Sequence, residues 1–517
     1  MGKQKSQMHM VSWEAPGQTR VERRGSRAMV RKESARLRKE WSSSRGNDLV
    51  TGLAKRSFGA GGEARGRNLR GPGLIERPEA REASTFTLAG AFPWVSQSGL
   101  GTVRAFIGNV TEGGGMFCLD PWEAYGRGLI TGMACVLIGT VGTGKSTTTK
   151  AWVKRMVQAG RRAVIMSDPK AEWVIVARAL VPEGVDPEIT IGVPGRVINP
   201  LDAGKRPSTG EEGLPVSDAE WMRMVRSRRA SVMSTIVQVL SKQRMDGDQR
   251  LALTEAITSA AAAKGEELAA MTPQTPMGEA AAMAPTIPDV IHELYNPSVE
   301  VFEVTEGAGR KVANQLRQLV DGDLAGLFDG PSTVTMDENL PMIVFNTRPL
   351  RQLSVEARKI ASHCVSSWAE SVFTNRDGGQ RIAVYEEGWE NMDDEAALER
   401  MVAQWKLARD YGLFNILILH KLKDLYRAGD AGSRARELAE SLLADTDIRV
   451  VHRQKSDQLE ATGDLLKLTA SEKEEISRAP KGHALWKVGE LEGRLVKTYR
   501  TELEGQLFDT DHAMRVA

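Results

Sequence analysis

The sequence predicts an α/β fold organised around a mostly parallel sheet, and three observations carry that expectation. Apolar runs of five or six residues recur, the clearest being Ala134-Cys135-Val136-Leu137-Ile138. A stretch apolar at every position suits a strand buried on both faces, which is the habit of parallel sheets. That run is followed by a glycine-rich turn, a helical stretch from Thr147 to Ala159 that stops at Gly160, and a second apolar run from Arg162 to Ser167. Strand, turn, helix and strand in this order make a βαβ unit, whose crossover sets the two strands parallel. Residues 217–330 interrupt the alternation. They are rich in Ala, Met, Arg and Glu, with Met233, Ile236, Val237 and Leu240 at helical spacing, so a helical insertion is expected.

Length and composition bound the remaining choices. At roughly 150 residues per domain, a chain of 517 residues has room for about three domains. Hydrophobic residues at 41% and charged residues at 26% lie near the globular norm, which excludes wholesale disorder. The formal charge of +2 hides an asymmetry. Residues 1–70 hold 17 Lys/Arg against 6 Asp/Glu, or +11, and the remainder holds 52 against 61, or −9. A basic arm precedes an acidic body. Cys118, Cys135 and Cys364 are too few and too scattered for a disulfide framework or a zinc site, and the seven histidines show no metal-binding spacing. No structural metal and a reducing compartment are expected. No apolar run reaches the ~18–20 residues of a membrane span, and the N-terminus lacks an apolar signal core. A cytoplasmic protein is expected, meeting the inner face of a membrane only through partners or the arm.

Five segments follow from composition. Residues 1–80 read as a disordered basic arm, in which Val21 to Arg45 has the composition of a basic helix with Glu22, Glu33 and Glu40 as internal partners. Gly59 to Gly73 reads as flexible linker. The arm is either a solvated tail or a contact for nucleic acid, acidic lipid or a protein. Residues 81–128 form a β-rich lead-in, with strands at Val103–Ile107 and Gly115–Cys118. Residues 129–210 hold the βαβ unit. Residues 211–330 are the helical insertion, with a mobile middle at 272–288 where Pro and Met-Ala segments interrupt the pattern. Residues 331–517 return to α/β. Strands are expected at Met342–Phe345, Ile382–Tyr385, Asn415–Leu419 and Ile448–Val451, with helices near 352–374, 394–411 and 432–444. A hairpin of His483–Val488 and Arg494–Tyr499 closes the pattern.

The glycine-rich turn is Gly139-Thr140-Val141-Gly142-Thr143-Gly144-Lys145-Ser146, with Thr147 next. It matches the phosphate-loop pattern G-x-x-x-x-G-K-[ST] in full and sits between a buried strand and a helix, the context that gives the motif meaning. Glycines let backbone N–H groups turn toward phosphate oxygens. The helix presents its positive end to the same anion. Lys145 reaches the β- and γ-phosphates and Ser146 takes a Mg²⁺ site. Nucleotide binding is expected; what the energy drives is not encoded in the loop.

A second apolar strand, Arg381 to Tyr385, ends in Glu386-Glu387. Two carboxylates on a strand tip divide the remaining work of such a site: Glu386 holds the Mg²⁺ shell and Glu387 orients or deprotonates the attacking water. The plainer alternative is a surface acidic turn running on to Glu390, Asp393 and Asp394. The strand Asn415 to Leu419 ends in His420, which is either structural or a sensor of the γ-phosphate.

Taken in order, these segments resemble the energising ATPases of type IV secretion and conjugation systems, in the FtsK/HerA superfamily of hexameric RecA-like motors. Gly114-Gly115-Met116-Phe117 with Asp120-Pro121, the phosphate loop, Asp168-Pro169-Lys170-Ala171-Glu172-Trp173, Asn199-Pro200-Leu201-Asp202, Phe328-Asp329-Gly330, Glu386-Glu387-Gly388-Trp389 and Phe508-Asp509-Thr510-Asp511 each resemble a family segment. The resemblance spans roughly residues 100–515. It implies a RecA-like P-loop NTPase that binds ATP and Mg²⁺ and hydrolyses ATP as a homohexamer to drive a secretion or conjugation channel. It supports a sensor role for His420. It also nominates Arg409, in Arg409-Asp410-Tyr411-Gly412, as a finger on the neighbouring subunit's nucleotide. Arg453 is the rival finger, and a charge complementing a helix dipole is the alternative for Arg409. Glu386 stands where the family has Asp, and a short basic arm stands where the family has a larger channel-docking region. Two other functions remain: a soluble DNA translocase or coupling protein touching DNA through the arm, and a nucleotide-binding structural subunit with little turnover.

Overall fold

In the computed structural model the described residues are Lys32, residues 99–101 and residues 104–508 without 211–213, 298, 335, 338, 374–378, 387–394 and 421–432. The chain divides into Met1–Ala91 and Phe92–Ala517, and all described residues but Lys32 belong to the second unit. The expectations for the arm, and for Asp509 to Asp511, lie outside the described residues.

Most apolar runs become strands where the sequence predicts them, but the first, expected at Val103–Ile107, lies at Phe106–Val110, and Glu188–Thr190 is a strand the sequence does not predict. The strands are β1 (Phe106–Val110), β2 (Met116–Cys118), β3 (Ala134–Ile138), β4 (Arg162–Ser167), β5 (Glu188–Thr190), β6 (Met342–Asn346), β7 (Arg381–Tyr385), β8 (Leu413–Leu419), β9 (Ile448–His452), β10 (His483–Val488) and β11 (Arg494–Thr498). They form one sheet in the order β2-β1-β11-β10-β9-β3-β8-β7-β4-β6-β5. From β9 to β5 every pairing is parallel. From β9 to β2 every pairing is antiparallel. The central strands β3, β7, β8 and β9 are buried at every residue, which explains why their sequences are continuous rather than alternating.

Helices cover the sheet. After α1 (Pro121–Gly126), α2 (Lys145–Gln158) follows the glycine-rich turn. Its Trp152 is fully buried, edge-on to Phe414 and Trp486 at centroid distances of 5.7 and 5.1 Å, and its indole N–H donates to Leu119 O at 2.9 Å. Asp120 caps α1 and also accepts from Arg161 at 2.8 Å. Next comes α3 (Trp173–Arg178). The helical insertion holds α4 (Asp218–Ser241), α5 (Gly247–Ala263), α6 (Met277–Met283), α7 (Ile287–Tyr295) and α8 (Val299–Asp321). The later helices are α9 (Val355–Phe373), α10 (Glu395–Lys406), α11 (Arg434–Ala444), α12 (Ser456–Leu465), α13 (Ala470–Arg478) and α14 (Glu502–Leu507).

The insertion carries a small core of its own around Trp221, Val225, Leu268 and Met271. It is tied to the Asn199-Pro200-Leu201-Asp202 segment by buried polar groups. Arg229 on α4 donates to Leu201 O at 2.6 Å and grips both oxygens of Glu266 at 2.7 and 2.6 Å. Asp202 accepts from Ser332 Oγ at 2.5 Å and from the Trp368 indole at 3.2 Å. Burial pushes its carboxyl up to about 6. The segment 272–288, expected to interrupt the helices, contains α6 and the start of α7.

Candidate nucleotide site

The parallel strands end together at one edge of the sheet. Ile138 of β3 stands between Leu419 of β8 and Val451 of β9. Tyr385 of β7 stands between Leu417 of β8 and Ser167 of β4. The next residues along these strands are Gly139, His420, His452, Glu386 and Asp168. Five strands, from segments up to about 310 residues apart in sequence, thus deliver their ends to one rim, where ligands of open α/β sheets bind.

The loop from Gly139 to Ser146 connects β3 to α2. Gly142 and Gly144 have φ of 82° and 106°, conformations that a side chain resists. A Cβ on Gly139 would fall 2.5 Å from the Cβ of His452, and one on Gly144 would fall 3.2 Å from Gly482 Cα. The glycines therefore permit both the turn and close approach of the flanking chain. Thr140 N donates to Arg453 O at 3.3 Å, Thr143 Oγ1 to Thr140 O at 2.7 Å, and Gly482 N to Thr143 O at 2.9 Å. The loop tip, Val141, is exposed.

Lys145, buried at the start of α2, donates to Gly139 O and, at 3.0 Å, to Thr140 O. Burial lowers its pKa to about 8, Lys170 adds repulsion, and Glu386 opposes the shift. A desolvated ammonium among carbonyl oxygens gains most from an anion, and a phosphate supplies one. Ser146 Oγ donates to Glu386 Oε1 at 3.5 Å. A hydroxyl and a carboxylate side by side are hard oxygen donors of the type Mg²⁺ takes. The residues present therefore fit a nucleotide phosphate with Mg²⁺. Glu386 is buried, and burial raises its pKa. Thr147 lies in the first turn of α2, half-buried.

The remaining candidates fall in different places. His420, half-buried, follows β8 immediately beside the loop's own strand. Glu387 lies outside the described residues. Arg453 is exposed on the segment whose carbonyl braces Thr140. Arg409 is exposed in the turn before β8, at the opposite end of that strand. At ~3.3 Å per residue, the seven residues of β8 separate it from the loop edge by about 20 Å. Arg409 therefore does not reach the loop of its own chain.

The sequence assigns no role to three residues of the rim. Trp173 and Lys150 link the 168–173 segment to Glu386 and α2, as described below. His452 is fully buried behind the loop, and its ring faces the backbone of Thr143 and His483 without closing a hydrogen bond. The signal available was that β9, like β8, is an apolar strand ending in His. Burial, with the charge of Lys145 acting in the same direction, lowers the His452 pKa to about 3. The folded pKa lies below the usual 6.5, so the stability it secures is full above pH 6.5 and is lost as pH falls toward 3. Between pH 6.5 and 5 the loss is about 2 kcal/mol. Asp202 acts in the opposite sense, losing its contribution as pH rises through about 6. Comparing thermal melts of the wild type with His452→Leu at pH 7.5 and pH 5 cancels the Asp202 effect. The variant is expected to lose less stability on acidification; equal losses would place His452 outside the acid response.

No protein-family model matches the sequence, and no curated protein matches it. Among solved structures, VirB4 of Thermoanaerobacter pseudethanolicus superposes with a TM-score of 0.62 at 20% identity, covering 79% of this chain and 100% of that one. The plasmid coupling protein TrwB in complex with ADP and Mg²⁺ gives a TM-score of 0.43 at 16% identity, covering 76% of this chain and 88% of that one. The trigonal form of TrwB with sulphate gives 0.45 at 16% identity, over 77% and 90%. The fold is the P-loop NTPase fold of VirB4, with a mostly parallel sheet and a helical insertion, as the sequence predicts. Among the described residues, no helix is long and apolar enough to cross a membrane.

Proposed function

We propose that this chain is an ATP-binding and ATP-hydrolysing motor that energises a conjugation or type IV secretion apparatus, working as a homohexamer. The observation that carries the reading is the complete phosphate loop on the tip of β3, with Ser146 Oγ 3.5 Å from Glu386 on the tip of β7, in a fold shared with VirB4. The loop amides and Lys145 hold the phosphates, and Ser146 and Glu386 hold Mg²⁺. Mg²⁺ held there would neutralise the charge that develops on the phosphate oxygens. Glu387 orients the water and His420 senses the γ-phosphate. Arg409, about 20 Å from its own loop, serves a neighbouring subunit's site, which makes the assembly part of the chemistry. Channel proteins recruit the motor to the inner face of the membrane. The +11 arm favours a second reading, a DNA translocase or coupling protein.

The test is the ATPase rate of the purified full chain, with and without double-stranded DNA, alongside its mass in solution. Concentration-dependent hydrolysis from a hexamer supports the motor. Salt-sensitive stimulation by DNA moves the reading to the translocase. Nucleotide binding without turnover moves it to a structural subunit. In the hydrolysing case, Glu387→Gln is expected to keep ATP binding and lose about 10²–10⁴-fold in turnover, the range of a general base. Unchanged turnover would exclude that role for Glu387.

A further inference from the structure

The segment Asp168 to Trp173 is built onto the site, and no role in the reading above uses it. Asp168, at the tip of β4, is buried and accepts three backbone N–H groups: Glu172 at 3.0 Å, Trp173 at 2.7 Å and Val174 at 3.3 Å. Ala171, with φ of 57°, turns the chain so that these amides converge. The clasp fixes the directions of the next two side chains. Glu172 receives Lys150 Nζ at 2.6 Å. Trp173, fully buried, aims its indole N–H at Glu386 Oε2. The other oxygen of Glu386 faces Ser146 Oγ at 3.5 Å.

These contacts close a ring. Helix α2 carries Ser146 at its first turn and Lys150 one turn later. Ser146 meets Glu386, Glu386 meets Trp173, Trp173 adjoins Glu172, and Glu172 meets Lys150 on α2 again. A carboxylate on a free side chain would rotate. This one has an oxygen fixed by a donor that carries no charge and cannot be mistaken for a ligand, so the other oxygen is left to Ser146. The length of glutamate matters here. A carboxylate one methylene shorter cannot span the same two partners without moving its strand.

We propose that Trp173 is a positioning residue for the metal shell: its indole N–H orients Glu386 so that Oε1 is presented beside Ser146, and the Asp168 clasp with the Lys150–Glu172 pair holds the indole in place. The inference rests on the assignment of Glu386 and Ser146 to Mg²⁺ under the proposed function. Partners that orient a ligating carboxylate typically alter metal affinity by about 10–100-fold when removed.

The test titrates Mg²⁺ into the full chain with a fluorescent ADP analogue and reads nucleotide affinity, not turnover. In the wild type Mg²⁺ is expected to tighten ADP. If the wild type binds no ADP, or binds it with no response to Mg²⁺, the parent reading fails. With that response present, Trp173→Phe is expected to leave Mg²⁺-free ADP affinity within about twofold and to raise the half-effective Mg²⁺ concentration by about tenfold or more. Glu386→Asp is expected to raise it as well. The double variant is expected to be no worse than Glu386→Asp alone, because the shorter carboxylate no longer meets the indole. An unchanged Mg²⁺ curve for Trp173→Phe, or strictly additive effects, would overturn the positioning role while leaving the nucleotide site intact. If Trp173→Phe does not fold, 3-benzothienylalanine at position 173 keeps the ring shape without the N–H, and the same two outcomes decide.

Discussion

Lys145→Ala is expected to weaken binding of a fluorescent ADP analogue by about 100-fold or more while leaving the chain folded. Hydrogen bonds to charged groups contribute about 1.5–3 kcal/mol each, and Lys145 is the buried cation of a loop otherwise made of backbone. Its effect on the nucleotide-free protein runs the other way. The ammonium is desolvated, with a pKa lowered to about 8, and its partners are the carbonyls of Gly139 and Thr140. Removing it relieves a buried charge, which offsets the untying of two carbonyls, one buried and one partly buried. The melting temperature of the nucleotide-free variant should therefore change little, while the stabilisation that ADP gives the wild type should vanish. Retained ADP affinity in Lys145→Ala would remove the assignment of the loop as the nucleotide site.

The largest stability loss is expected far from that rim, at Arg229→Met. The Arg229 and Glu266 side chains are 2% and 0% exposed and joined by two hydrogen bonds. Taking one member of a buried pair away leaves the other charged and uncompensated, at a cost of about 3–5 kcal/mol. Leu201 O loses its donor as well. The reciprocal test is the double variant Arg229→Met with Glu266→Leu, which replaces both charges by apolar groups and should recover most of the loss. Chemical denaturation of each variant checks this. A small loss for the single variant would mean that the Glu266 carboxylate finds water or another donor. The joint between the insertion and the Asn199–Asp202 segment would then be looser than its hydrogen bonds imply.

How much of this was legible in the sequence depends on how local each signal is. β3, β4 and β10 match their expected limits because each apolar run is closed by a glycine or a charge, at Gly139, Asp168 and Gly489. β5 was missed, since its three residues Glu188-Ile189-Thr190 contain one apolar side chain and are a strand only because β6 is there to pair with. β1 was expected at Val103–Ile107 and lies at Phe106–Val110. The apolar residues alone leave its phase open, and pairing with β11 settles it. The polar helices α12 and α13 left no apolar face long enough to recognise. At the site, the phosphate loop was readable because all its chemistry lies in eight consecutive residues. The ring through Trp173, Lys150 and Glu386 was not. Its members become neighbours only when β4 and β7 adopt adjacent places in the sheet, and no spacing along the chain encodes that. His452 was hidden for the same reason.

The order of strands also sets when the molecule can be assembled. The loop strand β3 has both its neighbours, β8 and β9, from the last quarter of the chain. β1 leans on β11, and Gly108 faces Thr498 about 390 residues later. On a ribosome the phosphate loop would therefore emerge as a lone apolar strand with no partner, and it would stay so through synthesis of the entire insertion. Pairings this distant in sequence form late and slowly, and exposed strands awaiting partners are prone to aggregate. The nucleotide site is thus among the last features to exist, and a chain ending before β9 would contain every residue of the loop without the rim that gives the loop its shape.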